Sequence, residues 1–399
     1  MARTCKKRNA VSKHKILQIV ASSHGGGAEV TRCLVKGLDR ERYDTTVIMP
    51  EDGGQLSAAD FQAIGARCLS FDIATGFSLH ELWNLRRFVH SNRFDLIHCH
   101  GARAALWGRL AAIGPRRPKI VFSVHGLSIV HYHGLKRTVL RGIERILQVV
   151  TDVTLCDSDA ELADVVRYGV ALPRRAHAVY NGIDLDRLDQ SVHDRATARA
   201  ALGLDITQSV VVTVCRLNKP RDFPTLLRAM QKAVAQIPMA RLLIVGDGPL
   251  RQAIENEVRA LHLEEHVRML GIVRDVAQVL TAADVFVLAT QGWEGLPLAP
   301  LEAMAVRLPV VISDVGGNRK AVQDGVTGYV VPPGQPQALA DALLRLLQDA
   351  CTAQQMGQQG RELVMREFSL QRMAAETMAI YERLLSCAGR EEHGDSAHL

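Results

Sequence analysis

The sequence predicts an α/β chain of two doubly wound parallel-sheet domains. Length, the rhythm of its apolar runs and a single break in that rhythm predict this. With 399 residues, 47% hydrophobic and 5% aromatic, the chain can bury a large core but is longer than one compact core usually grows. Short β-branched runs alternate with helically spaced segments, the β-α-β pattern of a sheet covered on both faces. A polar, turn-rich stretch, Tyr180 to Asp205, interrupts the alternation before it starts again.

In the first half the expected strands are "KILQIVAS" (15–22), "YDTTVIMP" (43–50), "FDLIHCHG" (94–101), "KIVFSVHG" (119–126) and "VTDVTLCDS" (150–158). In the second they are "SVVVTVCRL" (209–217), "ARLLIVGDGP" (240–249), "VRMLGIV" (267–273), "DVFVLAT" (284–290) and "PVVISDVGG" (309–317). The expected domains are Rossmann-like, spanning 1–190 and 191–369, with a linker near 184–200. "LQRMAAETMAIYERLLS" (370–386) reads as a final helix and 387–399 as a polar, disordered tail.

Eight cysteines lie scattered without a C-x-x-C pair, which suggests neither a disulfide scaffold nor a cysteine zinc site. The basic amino terminus holds an apolar segment too short for a signal-peptide core, and no run of eighteen apolar residues occurs. The expectation is a cytoplasmic protein that does not span a membrane. Residues 1–190 hold 27 Lys+Arg against 19 Asp+Glu, net +8, and residues 191–399 hold 21 against 23, net −2, which sum to +6. A basic half beside a near-neutral half suggests an anionic membrane surface as partner. Nucleic acid is not expected, because no basic run is interleaved with aromatics.

In doubly wound sheets ligands bind beyond the carboxyl ends of the strands, so the residues there carry the functional reading. "SSHGGGAEV" follows the first strand and opens a helix; its glycines suit either a phosphate at the helix start or a tight turn. Neither this segment nor "GDGPLR" completes a dinucleotide fingerprint, since Val30 and Arg251 stand where a third glycine is needed. "VCRLNKPRDF" places Arg216, Lys219 and Arg221 within six residues past a strand, a set suited to a diphosphate or to a solvated turn. Two such charge-assisted bonds, each contributing about 1.5–3 kcal/mol, amount to roughly two to four powers of ten in rate if made only in the transition state. In "IHCHGARA", His98 and His100 share one strand face and Cys99 the other, so the three cannot close on one metal without a bend. His125 in "VFSVHG" can donate to a sugar or acceptor oxygen, or be structural. Asp157-x-Asp159 has a spacing compatible with Mn²⁺ or Mg²⁺, but Ser158 or Asp159 reads better as a helix N-cap.

"WEGLPLAPLEAM" holds Glu294 and Glu302 eight residues apart, and Pro297 and Pro300 prevent one continuous helix between them. Pro300 fits a first helical turn, so Glu302 is expected in that turn and Glu294 in the preceding loop, joined through Gly295, Leu296 and Pro297. Carboxylates so placed can each accept from vicinal hydroxyls of a sugar or ribose.

At these residues the sequence resembles the family-4 glycosyltransferases, retaining enzymes of the GT-B fold, over nearly its whole length. The strongest match runs from "GDGPLRQAIE" through "EGLPLAPLEAMAVRLPVVISDVGGNRKAVQDGVTGYVVPPG", which looks like the family's E-x7-E block; "GGGAE", "HCHGARA", "VHG", "VYNGID" and "CRLNKPRDF" match its other landmarks. The resemblance implies that Glu294 contacts the transferred sugar, with Gly295 and Leu296 in the same donor loop, and that Glu302 holds the ribose. It further implies that Arg216 and a second cation, Lys219 or Arg221, hold the diphosphate, with Gly26 and Gly27 approaching it and His125 near the reacting sugar. The family usually has lysine where Arg221 stands. No metal or other cofactor is implied, and the final helix is expected to cross back onto the first domain. The expected activity is transfer of a hexose from a UDP- or GDP-sugar to a lipid-linked or saccharide acceptor in surface polysaccharide assembly, peripheral to the inner face of the cytoplasmic membrane. "KRTVLRGIER", with Lys136, Arg137, Arg141 and Arg145, is the candidate membrane-facing helix. Alternatives are a nucleotide-sugar epimerase and a non-catalytic sugar-nucleotide-binding protein.

Overall fold

The computed structural model describes residues 13–391 apart from Thr75 and His193. The two expected parallel sheets are present. The first contains β1 (His14–Val20), β2 (Tyr43–Met49), β3 (Arg67–Ser70), β4 (Leu96–His100), β5 (Lys119–Ser123), β6 (Val153–Cys156) and β7 (Ala176–Ala178), in the order β3-β2-β1-β4-β5-β6-β7. The second contains β8 (Ser209–Val214), β9 (Ala240–Val245), β10 (Val267–Gly271), β11 (Val285–Leu288), β12 (Val310–Ser313) and β13 (Gly328–Val331), in the order β10-β9-β8-β11-β12-β13. Each order reverses once, between β1 and β4 in the first sheet and between β8 and β11 in the second.

Apolar runs make the central strands legible. Val210, Val211 and Val212 of β8 and Val285, Phe286 and Val287 of β11 are all fully buried, as a strand covered by helices on both faces requires. The sequence did not reveal β3, β7 or β13, and all three lie at sheet edges. β3 (RCLS) and β7 (AHA) carry no continuous run of branched apolar residues, and β3 has no buried residue.

Helix Phe223–Gln236 shows how the covering layer forms. Asp222 caps it by accepting from the Thr225 amide, and Pro224 occupies its first turn, where the missing N–H is harmless. Phe223, Leu226, Leu227 and Met230 recur at helical spacing and bury against Leu242, Ile244 and Val285 of the second sheet.

Packing divides the chain into two compact units. The first comprises the described chain up to Val124, then Ile143–Thr154 and the segment from Ala374 on; the second comprises His125–Gly142 and Leu155–Met373. The final helix, Leu370–Glu391, runs past the expected end at residue 386, so 387–391 are helical; the rest of the expected tail lies outside the described residues, as does the basic amino terminus before Lys13.

A buried polar network fixes the carboxyl-terminal part of that helix within the first unit. The Tyr381 hydroxyl meets His98 Nδ1 at 2.6 Å and accepts from Gln18 Nε2 at 3.1 Å. His98 Nε2 meets Ser123 Oγ at 2.7 Å, and His100 Nε2 meets Gln18 Oε1 at 2.8 Å. The bonding is satisfied when Tyr381 donates to His98 Nδ1, His98 Nε2–H donates to Ser123, and His100 Nε2–H donates to Gln18. Burial pushes the Tyr381 hydroxyl far above its ordinary titration range, which keeps it a donor. His98 and His100 therefore face the same side and build structure there, while Cys99 on the opposite side lies where Gly108 lets its helix approach.

Candidate functional site

The crevice of the second sheet lies where the order reverses, because the chain leaves β8 and β11 in opposite directions beyond their carboxyl ends. The segments that emerge there are tied together. The Asp222 amide donates to the Ala289 carbonyl at 3.0 Å and the Gln291 amide to the Pro220 carbonyl at 3.1 Å. Arg221 then donates to Thr290 Oγ1 at 2.9 Å and pairs with the Glu294 carboxylate. Both partners are largely covered, with side chains 17% and 11% exposed, so the pair is only weakly screened by water. Arg216 and Lys219, by contrast, are exposed. Among the three predicted cations, Arg221 is thus engaged by an acid while Arg216 and Lys219 face solvent.

The glycines of "GDGPLR" serve backbone approach. A β-carbon on Gly246, whose φ is +127°, would lie 1.9 Å from the Cys215 carbonyl oxygen, so only glycine lets the turn after β9 pack on the segment that leaves β8 and carries Arg216. The Leu217 amide completes that seat by donating to the Asp247 carbonyl at 3.0 Å.

Residues 293–297 form a loop anchored at each end. The Trp293 indole donates to Asp164 at 2.8 Å, and the buried Leu296 accepts at its carbonyl from Asn181 Nδ2 at 3.0 Å. Beneath the loop, the Gly317 amide donates to the Glu294 carbonyl at 2.9 Å. A β-carbon on Gly317 would lie 1.7 Å from the Gly295 carbonyl oxygen, so the "DVGG" turn must be side-chain-free for the loop to rest on it. The following helix begins at Leu298, two residues before Pro300. Glu302 is therefore its fifth residue, half-buried in the second turn and not in the first as expected. Pro300 is tolerated at the third position because the first four amides of a helix have no intrahelical partner.

His125 follows β5 in a left-handed conformation, φ +48°, and its side chain is 9% exposed. Its Nδ1 lies 3.0 Å from Asp157 Oδ1. Ser158, and not Asp159, caps the next helix, Asp159–Arg167, by accepting from the Glu161 amide at 3.2 Å. Glu161 is fully buried and accepts from the amides of Gly126, at 2.9 Å, and Asp157, at 2.6 Å. Burial, reinforced by the Asp157 charge, pushes Glu161 up to about 8. Burial lowers His125, but the Asp157 charge and hydrogen bond, with help from Glu161, outweigh it and leave the imidazole raised. Asp157 also abuts the 293–297 loop: a β-carbon on Gly295 would stand 3.6 Å from the Asp157 side chain. His125, Asp157, Glu294, Gly295 and Arg221 thus belong to one unit.

Gly26 and Gly27 belong to the first unit and open helix Gly26–Gly37 after Gly25, whose φ is +80°. No side chain caps that helix start, which leaves its first amides for an anion or solvent. In the loop before it, Ser23 donates its amide and its hydroxyl to Asp52. On helix Gly134–Leu147, Arg137 donates to the Tyr132 carbonyl and Arg141 to the Tyr168 carbonyl, leaving Lys136 and Arg145 as the exposed cations. Leu135, Val139, Ile143 and Ile146 are exposed beside them, at 80%, 50%, 42% and 72%.

Sequence reasoning missed Asp157 as a partner of His125, Asn181 and Asp164 as anchors of the loop, and Gly317 as its seat. All four make contacts between residues far apart in the chain, which spacing does not carry. Replacing Gly317 by Ala forces the loop off its seat; donor binding is expected to weaken at least about tenfold, a change of about 1.4 kcal/mol, measured by calorimetric titration.

Two family models match the chain: Glycosyltransferase Family 4 over residues 24–187 and Glycosyl transferases group 1 over residues 194–363. The UDP-Gal:α-D-GlcNAc-diphosphoundecaprenol α-1,3-galactosyltransferase of Escherichia coli is 26% identical over 322 residues, covering 78% of this chain and 82% of the relative. The N-acetyl-α-D-glucosaminyl L-malate synthase of Bacillus anthracis is 29% identical over 339 residues, covering 79% and 80%. Among solved structures, Anabaena HepE in complex with UDP and glucose superposes with a TM-score of 0.81 at 20% identity, covering 92% of this chain and 99% of that one. With both family halves in order and the two parallel-sheet α/β domains of the GT-B architecture, the chain belongs to the family-4 glycosyltransferases.

Proposed function

We propose that the protein transfers a hexose from a UDP- or GDP-sugar to a lipid-linked or saccharide acceptor, with retention of anomeric configuration, in surface polysaccharide assembly. The observation that carries this reading is the Arg221–Glu294 pair at the β8/β11 reversal, beside the exposed Arg216 and Lys219. Glu294 offers a carboxylate to sugar hydroxyls, Gly295 and Leu296 shape the same wall, and Glu302 takes the ribose. Arg216 neutralises the diphosphate together with Lys219 or Arg221. In that role the cations stabilise the departing diphosphate as negative charge develops. His125 faces the transferred sugar. No metal ion is needed in this scheme, since fixed cations take its electrostatic part.

The name of the Escherichia coli relative, which specifies a diphosphoundecaprenol acceptor, supports a lipid-linked acceptor here. So does helix Gly134–Leu147, whose exposed apolar ridge and flanking Lys136 and Arg145 suit an anionic bilayer surface. The protein would then act at the inner face of the cytoplasmic membrane.

Two measurements test the reading. Glu294→Ala and Arg216→Ala are each expected to lower kcat/KM for sugar transfer about a hundredfold or more, a loss of about 2.7 kcal/mol, while wild-type turnover persists in EDTA. Near-normal transfer in both variants would remove the site assignment, and loss of activity in EDTA would remove the metal-free scheme. In flotation with phosphatidylglycerol-containing vesicles the wild type is expected to float and Leu135→Glu/Ile146→Glu to remain in solution; equal partitioning would exclude this helix as the membrane contact.

A further inference from the structure

Two buried carboxylates, Asp157 and Glu161, flank the His125 imidazole and have no task in the donor scheme above. Burying a carboxyl group is costly unless hydrogen bonds compensate it. For Glu161 the compensation comes from two backbone amides, and their owners are informative. One is Gly126, the residue after His125, and the other is Asp157, the partner of the ring. Glu161 thereby joins the turn after β5 to the turn after β6.

The turn after β5 needs holding. His125 stands at φ +48°, where a residue with a β-carbon is strained, and Gly126 follows at φ +106°. Strain of this kind persists only where the surroundings over-determine it. The Glu161 bond to the Gly126 amide fixes the backbone, and the Asp157 bond to Nδ1 fixes the ring.

We propose that Asp157 is a positioning residue for His125: its carboxylate holds Nδ1 and directs Nε2 toward the bound sugar, while Glu161 locks the left-handed turn beneath. This rests on the reading that His125 faces the transferred hexose. Asp157 abuts Gly295 of the donor loop, so the same side chain sets the distance between the imidazole and the loop that carries Glu294.

The acids that face His125 are Asp157, from the turn after β6, and Glu161, from helix Asp159–Arg167, whose carboxyl group is pushed by burial up to about 8 and so is largely protonated near neutral pH. The neighbouring Cys156 thiol, driven far up by burial, stays neutral. Across from Asp157 the donor loop presents the Gly295 backbone, and its own acid, Glu294, is neutralised by Arg221. Removing the Asp157 charge therefore removes the main influence that raises the imidazole, and its titration must move to lower pH.

The test compares Asp157→Asn, Asp157→Ala, His125→Ala and the His125→Ala/Asp157→Ala double variant. Asp157→Asn keeps an oxygen that can accept from Nδ1 and loses only the charge. It is expected to bind UDP within about twofold of wild type, to lower kcat about tenfold, and to shift the imidazole limb of the kcat–pH profile to lower pH. The double variant is expected to be no slower than His125→Ala within about threefold, because Asp157 acts through the ring. Wild-type kcat in Asp157→Asn, an unmoved pH limb, or multiplicative losses in the double variant would overturn the proposal. Should Asp157→Ala fail to fold, the asparagine variant alone decides through its kcat and pH limb. A wild-type enzyme that transfers sugar, with no effect of Asp157→Asn, sinks only the positioning role; a wild type that transfers no sugar sinks the transferase reading itself.

Discussion

The site depends on one ion pair placed by topology. A parallel sheet whose strand order reverses must open between the two strands at the reversal, and in the second sheet those strands are β8 and β11. The segments leaving them carry the predicted cations and the first glutamate, and Arg221–Glu294 closes the gap. Both side chains are mostly covered, so removing either leaves an uncompensated charge in a poorly solvated place. The pair also orients chemistry: a carboxylate held by a guanidinium cannot swing into solvent, and it remains an acceptor for hydroxyls.

Backbone contacts built on glycine put that pair in place. Gly246 permits the turn after β9 to touch the strand end that carries Arg216, and Gly317 permits the turn after β12 to lie under Gly295. Neither glycine needs to touch a ligand for this role. The "GDGPLR" segment failed as a dinucleotide fingerprint for this reason: its glycines answer to a neighbouring carbonyl, and Arg251 begins a helix where a third glycine would stand. His125 is likewise held by partners that the fold brings close, Asp157 at its ring and Glu161 at the next amide.

The central strands and the order of landmarks were legible because a buried parallel sheet writes itself as apolar runs, and ligand-facing residues fall directly after them. The edge strands β3 and β7 were not, since neither carries such a run. Within the site, Glu294 was legible as a loop acid from the prolines that separate it from Glu302, but the pairing with Arg221 was not, because it joins residues 73 positions apart. The helix start was misplaced by two residues, since Pro300 is as compatible with the third helical position as with the first. Asp157 was read beside Asp159 as a local pattern, whereas its partner is His125, 32 positions earlier.

The claim that Arg221 and Glu294 act as one unit is tested most directly by a double-mutant cycle on sugar transfer, with Arg221→Ala, Glu294→Ala and the double variant. The account predicts strong coupling: the double variant should fall short of the summed single losses by at least about 1.4 kcal/mol, a factor of ten. Losses that add within about 0.4 kcal/mol would contradict it, because residues that act independently add in that way.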